Sequence, residues 1–139
     1  MRQQLVEQIL ARADLAQEQV RLARSTPNPT LPFIQACVHS YVCRKFLLEP
    51  EEGQGLTMSQ LANLSIERAL DLKLPLAKES ERATTCGAAG SSAMKIALLL
   101  VAVKKDFQVD IEPRRLGYVK DTAELGELVY RAMEEEKGA

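Results

Sequence analysis

The chain reads as an all-α protein, and three observations carry that reading. Apolar residues recur at helical spacing in five separate stretches, and four of those stretches open on residues that cap helices. Apolar–polar alternation never runs long enough to build a sheet. The length, 139 residues, suits one domain or one domain with a helical extension, and the 46% hydrophobic and 27% charged content is ordinary for a globular chain.

From Leu5 to Val20, apolar residues at Leu5, Ile9, Ala13, Ala16 and Val20 are separated by Arg, Gln and Glu, which predicts an amphipathic helix in need of a partner surface. Pro27 and Pro29 cannot sit inside a helix without breaking it, so this first helix stops near Arg24. Thr30 then caps a second helix. Its first turn accommodates Pro32, because a missing N–H costs nothing there, and Ile34, Val38, Tyr41 and Val42 form its apolar face until it ends by Leu48.

Glu49 to Gly55 holds a proline, three glutamates and two glycines, and is the best internal boundary. It divides a helical extension over residues 1–55 from a domain over 56–139. Thr57 with Gln60 makes a capping box for a third helix bearing Leu61, Leu64, Ile66, Ala69 and Leu70, closed at about Lys73 by Pro75. Lys78 to Ser92, rich in Ser, Thr, Gly, Ala and charge, reads as a long loop. A strongly apolar helix follows from about Ser92 to Phe107, with Met94, Ala97, Leu99, Leu100, Val103 and Phe107 on a broad face that must be largely buried. Pro113 to Gly117 allows only a turn or two of helix. Asp121 with Glu124 caps the last one, which carries Leu125, Leu128 and Val129 and frays beyond Glu134.

With 18 basic and 19 acidic side chains the formal charge is -1, which gives no electrostatic case for nucleic acid or an anionic membrane as partner. The longest apolar run, Ile96 to Val103, falls far short of the ~20 residues that cross a bilayer, so no membrane span is expected. Met1 to Leu10 lacks the continuous apolar core of a secretion signal, and three cysteines make no disulfide framework; the expected location is cytoplasmic.

The order of these features resembles the acyl carrier protein family over roughly Thr57 to Met133. The resemblance rests on the small-residue loop before Ser92, the apolar helix ending at Phe107, then Val109, Ile111, Pro113 and the final amphipathic helix. It implies an acyl carrier protein-like helical bundle with two additional N-terminal helices. In that family a serine opens the second helix and bears a phosphopantetheine arm. Aligned through Phe107 and Ile111, Gly90 takes the place of the loop glycine and Met94 that of the leucine after the serine, so Ala93 lands on the serine position. A working carrier must therefore shift the loop by one residue and use Ser92, with Ser91 as the alternative; both serines are also accounted for as helix caps.

The resemblance implies a 4'-phosphopantetheine cofactor, a phosphopantetheinyl transferase and acyl-processing enzymes as partners, and a stand-alone acyl or peptidyl carrier with no catalysis of its own. Where the family presents acid on this helix, Lys95, Lys104 and Lys105 outnumber Asp106, which implies different partners. The competing reading is a non-modified interaction or regulatory module on the same scaffold. The N-terminal helices offer apolar surface either for packing on the same chain or for a homodimer.

Other chemistry is thin. Cys37, His39, Cys43 and Cys86 are residue types that zinc accepts, but positions two apart on a helix point about 200° from each other, so no metal site is expected. Cys37 and Cys43 read as buried thiols; Cys86 is either a reactive thiol or an incidental one. No phosphate loop, recognisable carboxylate pair or hydrolase elbow is present, and His39 reads as a packed residue, so no enzyme is expected.

Overall fold

Four helix starts, that at Ser91 among them, are fixed by side chains that take up free backbone N–H groups. Thr30 Oγ1 accepts from Phe33 N–H at 3.2 Å. Thr57 and Gln60 exchange reciprocal bonds, with Thr57 N–H donating to Gln60 Oε1 at 2.9 Å and Gln60 N–H to Thr57 Oγ1 at 3.2 Å. Asp121 Oδ1 accepts from Glu124 N–H at 2.9 Å, and Glu124 Oε2 accepts from Lys120 N–H at 2.8 Å. The computed structural model describes residues 2–71 and 91–138.

Its helices are α1 (Arg2–Ser25), α2 (Leu31–Lys45), α3 (Met58–Asp71), α4 (Ser92–Phe107), α5 (Pro113–Leu116) and α6 (Thr122–Gly138). The all-α expectation is met, and no strand occurs among the described residues. One isolated antiparallel bridge joins Thr57 to Asp121, and Met58 N–H donates to Lys120 O at 2.7 Å. The bridge sets the start of α3 beside the start of α6. The stop expected at Lys73, the expected loop up to residue 90, and Cys86 lie outside the described residues.

Helix α2 is the hub. It packs along α6 and against α1, the two most extensive helix pairs, while α3 lies on α4. One hydrophobic cluster draws Ala16, Val20 and Ala23 from α1, Ile34, Val38, Tyr41 and Val42 from α2, Leu99, Val103 and Phe107 from α4, and Leu125, Val129 and Met133 from α6. The first two helices thus pack back on their own chain. At the centre the Tyr41 and Phe107 rings meet edge to face, centroids 5.1 Å apart and planes at 73°. The Tyr41 hydroxyl donates to Asp106 Oδ2 at 2.5 Å, so the ring stays in the core while its polar end is satisfied.

Two backbone positions permit this packing. Gly126 lets α6 approach α2 closely, because a Cβ there would stand 2.7 Å from Gln35 Cα. At the end of α2, Leu47 takes φ 64°, a conformation usually left to glycine, and Leu48 N–H closes on Cys43 O at 2.8 Å. The Leu47 side chain is buried, which holds it there despite the strain.

The expectation of a largely buried α4 does not hold. Leu99, Val103 and Phe107 are buried, but Met94 is 40% and Val101 65% exposed. The helix is apolar on most sides; the ridge through residues 95, 99, 103 and 107 is buried, and Ile96 and Leu100 pack partly buried against the core.

Candidate attachment site and groove

The first turn of α4 carries both sequence-predicted serines. Ser91 is its N-cap, in extended conformation, and its Oγ accepts from Met94 N–H at 3.1 Å. The first backbone bond inside the helix runs from Lys95 N–H to Ser91 O at 3.0 Å. Ser91 is exposed and Ser92, the first helical residue, is half-buried. The two serines therefore differ in role: the oxygen of Ser91 is committed to the cap, whereas Ser92 begins the helix proper.

Beside this turn opens a groove of about 600 Å³. Helix α4 supplies one wall through Ala93, Ile96, Ala97 and Leu100; the turn after α5 supplies the opposite wall through Leu116, Gly117 and Val119; the start of α3 closes the third side. Among the described residues, Lys120 is the one ionisable side chain in the lining. Ala93, the neighbour of Ser92, is exposed at the groove, so the serine and the apolar channel are adjacent in sequence and in space. The isolated Thr57–Asp121 bridge is what holds the α3 start against the 116–120 wall.

The charge pattern read from the sequence on α4 requires a correction. Lys95 is only 2% exposed and its Nζ lies 5.9 Å from the centroid of the Phe46 ring, so it belongs to the interior and not to an outer docking face. Asp106 is likewise engaged inward, accepting from Tyr41 and from Gln17 Nε2 at 3.1 Å, with Lys45 Nζ at 3.9 Å. Lys104 and Lys105 alone keep the position the sequence suggested, in the last turn of α4.

The sulfur and imidazole groups form a structural clasp. His39 Nε2 lies 2.9 Å from Pro50 O and Nδ1 lies 2.6 Å from Thr122 Oγ1. A carbonyl only accepts, so Nε2 carries hydrogen and donates to it; in the neutral ring Nδ1 then accepts from the Thr122 hydroxyl. This ties α2 to the loop before α3 and to the start of α6. Cys43 Sγ sits 3.6 Å from His39 Nε2, and burial pushes its thiol up to about 12. Cys37 is pushed in the same direction by the same cause. Such thiols stay protonated and unreactive at neutral pH. Among the described residues no group of three metal-binding side chains converges.

Sequence reasoning located the serine turn but not the groove. Two of its three walls come from residues 57–59 and 116–120, whose only signals were the Thr57 and Asp121 capping boxes, and these mark helix starts without revealing that the starts are neighbours. No family model matches the chain, and neither a curated protein nor a solved structure matches it.

Proposed function

We propose that this chain is a stand-alone acyl or peptidyl carrier whose 4'-phosphopantetheine arm is attached to Ser92, with Ser91 as the alternative residue. The observation that carries the reading is the apolar groove beginning at Ala93, one residue beyond Ser92. The residues fit the group in two respects. Ser92 is the first residue of α4, so a phosphate on its hydroxyl would be held near the positive end of the helix dipole, where first-turn N–H groups precede the helix's own ladder. The groove beside it offers an apolar lining to an apolar cargo.

When attached, the arm's thiol carries the acyl or peptidyl group as a thioester, and partner enzymes make and break the bonds. The chain's own residues position and shelter. Ser91 holds the first turn through Met94 N–H, and α4, α3 and the 116–120 segment screen the groove from water on three sides. On this reading the carrier domain over residues 56–139 consists of α3, α4, α5 and α6, and the N-terminal extension covers it by packing α2 along α6.

The test is the intact mass of the protein and of Ser92→Ala and Ser91→Ala after incubation with coenzyme A and a broad-specificity phosphopantetheinyl transferase. One added phosphopantetheine, absent only from Ser92→Ala, is the expected result. Gain in both single variants, or none in the parent, sinks the reading. The second reading, a non-modified interaction module, is favoured by Tyr118, 80% exposed beside the groove wall; full biological activity of Ser92→Ala would select it.

A further inference from the structure

The groove is apolar, but its exposed surroundings are cationic. On α4, Ala93, Ala97, Leu100 and Lys104 stand three or four residues apart and share one ridge, so the apolar wall ends at an ammonium group. Across the groove Lys120 lines the wall, and Arg114 and Arg115 are exposed on α5, immediately before Leu116. The segment from Pro113 to Lys120 contains three cationic residues and no acidic one.

Arg115 lines a separate hollow with Asp110, Glu112 and Glu135, which leaves Lys104, Arg114 and Lys120 as the cations on the groove side. Asp121 accepts from Glu124 N–H and Glu124 from Lys120 N–H as helix caps; both keep their charge, but neither makes an ion pair with these cations among the described residues. Glu112 precedes α5 and is exposed without capping it. No ion pair among the described residues engages Lys104, Arg114, Arg115 or Lys120.

On the carrier reading of this site, we infer that the partner docking here when the cargo leaves the groove presents an acidic amphipathic helix, with apolar side chains in the vacated groove and carboxylates against Lys104, Lys120 and Arg114. The lining rules out a wholly polar polyanion as the best fit, because such a partner would leave the apolar walls facing water. Cations without ion-pair partners beside an apolar centre select a partner by complementarity and by repulsion of cationic competitors.

The experiment uses the full-length, unmodified chain and two fluorescent helical peptides with identical leucines at helical spacing, one flanked by glutamates and the other by lysines. Anisotropy should show the glutamate peptide binding at least about tenfold more tightly than the lysine peptide, with the preference shrinking as salt rises from about 0.05 to 0.5 M. The Lys104→Glu/Lys120→Glu variant, shown folded by circular dichroism, should reverse the preference. Equal binding of both peptides, binding of neither, or an unchanged preference in the reversed variant overturns the inference. Because no prosthetic group is needed, this result is separable from the mass test of the carrier reading.

Discussion

Replacing Gly126 by alanine sets two physical effects against each other, and the sign of the outcome decides between them. In an isolated helix, glycine to alanine stabilises by about 1 kcal/mol. At this position the new methyl group would stand 2.7 Å from Gln35 Cα, 3.0 Å from its Cγ and 3.2 Å from its Cβ. Comfortable carbon contacts need about 3.5–4.0 Å, so α6 must retreat from α2 by most of an ångström. That movement loosens the most extensive helix pair in the molecule, and overpacking of this kind costs about 1–3 kcal/mol or somewhat more where backbone must shift. The expected net effect is destabilisation of about 1–2 kcal/mol, or a fall in Tm of roughly 3–6 °C.

Gly117→Ala supplies the control. Its new Cβ meets only Arg114 O and Pro113 O at 3.6 Å, ordinary contact, and its φ of -65° is open to any residue. That variant should be neutral or gain about 0.4–1 kcal/mol. Gln35→Ala should not rescue Gly126→Ala, because the closest atom met is Cα. Thermal melts of the four proteins by circular dichroism test the scheme. A Gly126→Ala protein as stable as the parent would refute close approach of α2 and α6 at this point.

The remaining predictions follow from the clasp, the core and the surface ion pairs. Tyr41→Phe leaves Asp106 without its 2.5 Å partner and should cost about 1–2 kcal/mol in urea unfolding; no change in midpoint would mean the bond contributes nothing. His39→Ala opens the bonds to Pro50 and Thr122 and should cost about 1–3 kcal/mol, with amide exchange rising at the start of α6. Native Cys37 and Cys43 should resist iodoacetamide at pH 8 and react only on unfolding, as read by peptide mass; labelling of the folded protein contradicts their burial. The Glu49 N–H bond, then Arg68, holds the Glu52 carboxyl below its ordinary range. A lowered folded-state pKa makes its contribution present above the unfolded value and lost as pH falls through the folded one. Arg68→Ala should therefore move the Glu52 carbon titration upward in NMR, while an unmoved midpoint would leave the Glu49 N–H and the Arg12 charge as its causes.

What the sequence made legible was local. Capping by Thr30, Thr57 and Asp121 depends on residues three positions apart, and the bounds of α4 depend on a serine at one end and on the turn beyond Phe107 at the other. The location of both serines at one helix start was readable for the same reason. Pairing was not readable: nothing in the spacing of Ile34, Val38 and Tyr41 says that α6 rather than α3 will cover them. The groove depends on that pairing, since two of its walls reach it only after α3 and α6 start side by side.

The roll of α4 about its own axis shows how the core sets what the site can present. Met94 and Val101 face outward while Lys95 lies within, the reverse of what side-chain hydrophobicity alone selects. At about 100° per residue that stripe lies almost opposite the buried ridge, so about half a turn would be needed to bury the two apolar residues, with a gain of at most about 1.5–3 kcal/mol for each. The same turn would expose part of Leu99, Val103 and Phe107, three fully buried side chains, and break the Tyr41–Phe107 contact. Three buried residues outweigh two, so the observed roll wins, and Lys95 is accommodated over Phe46 as its consequence. The outward stripe of Met94 and Val101 thus needs no partner to explain it. The groove side is different: its apolar walls come from three separate segments, and one of them ends on Lys104, which makes no ion pair among the described residues.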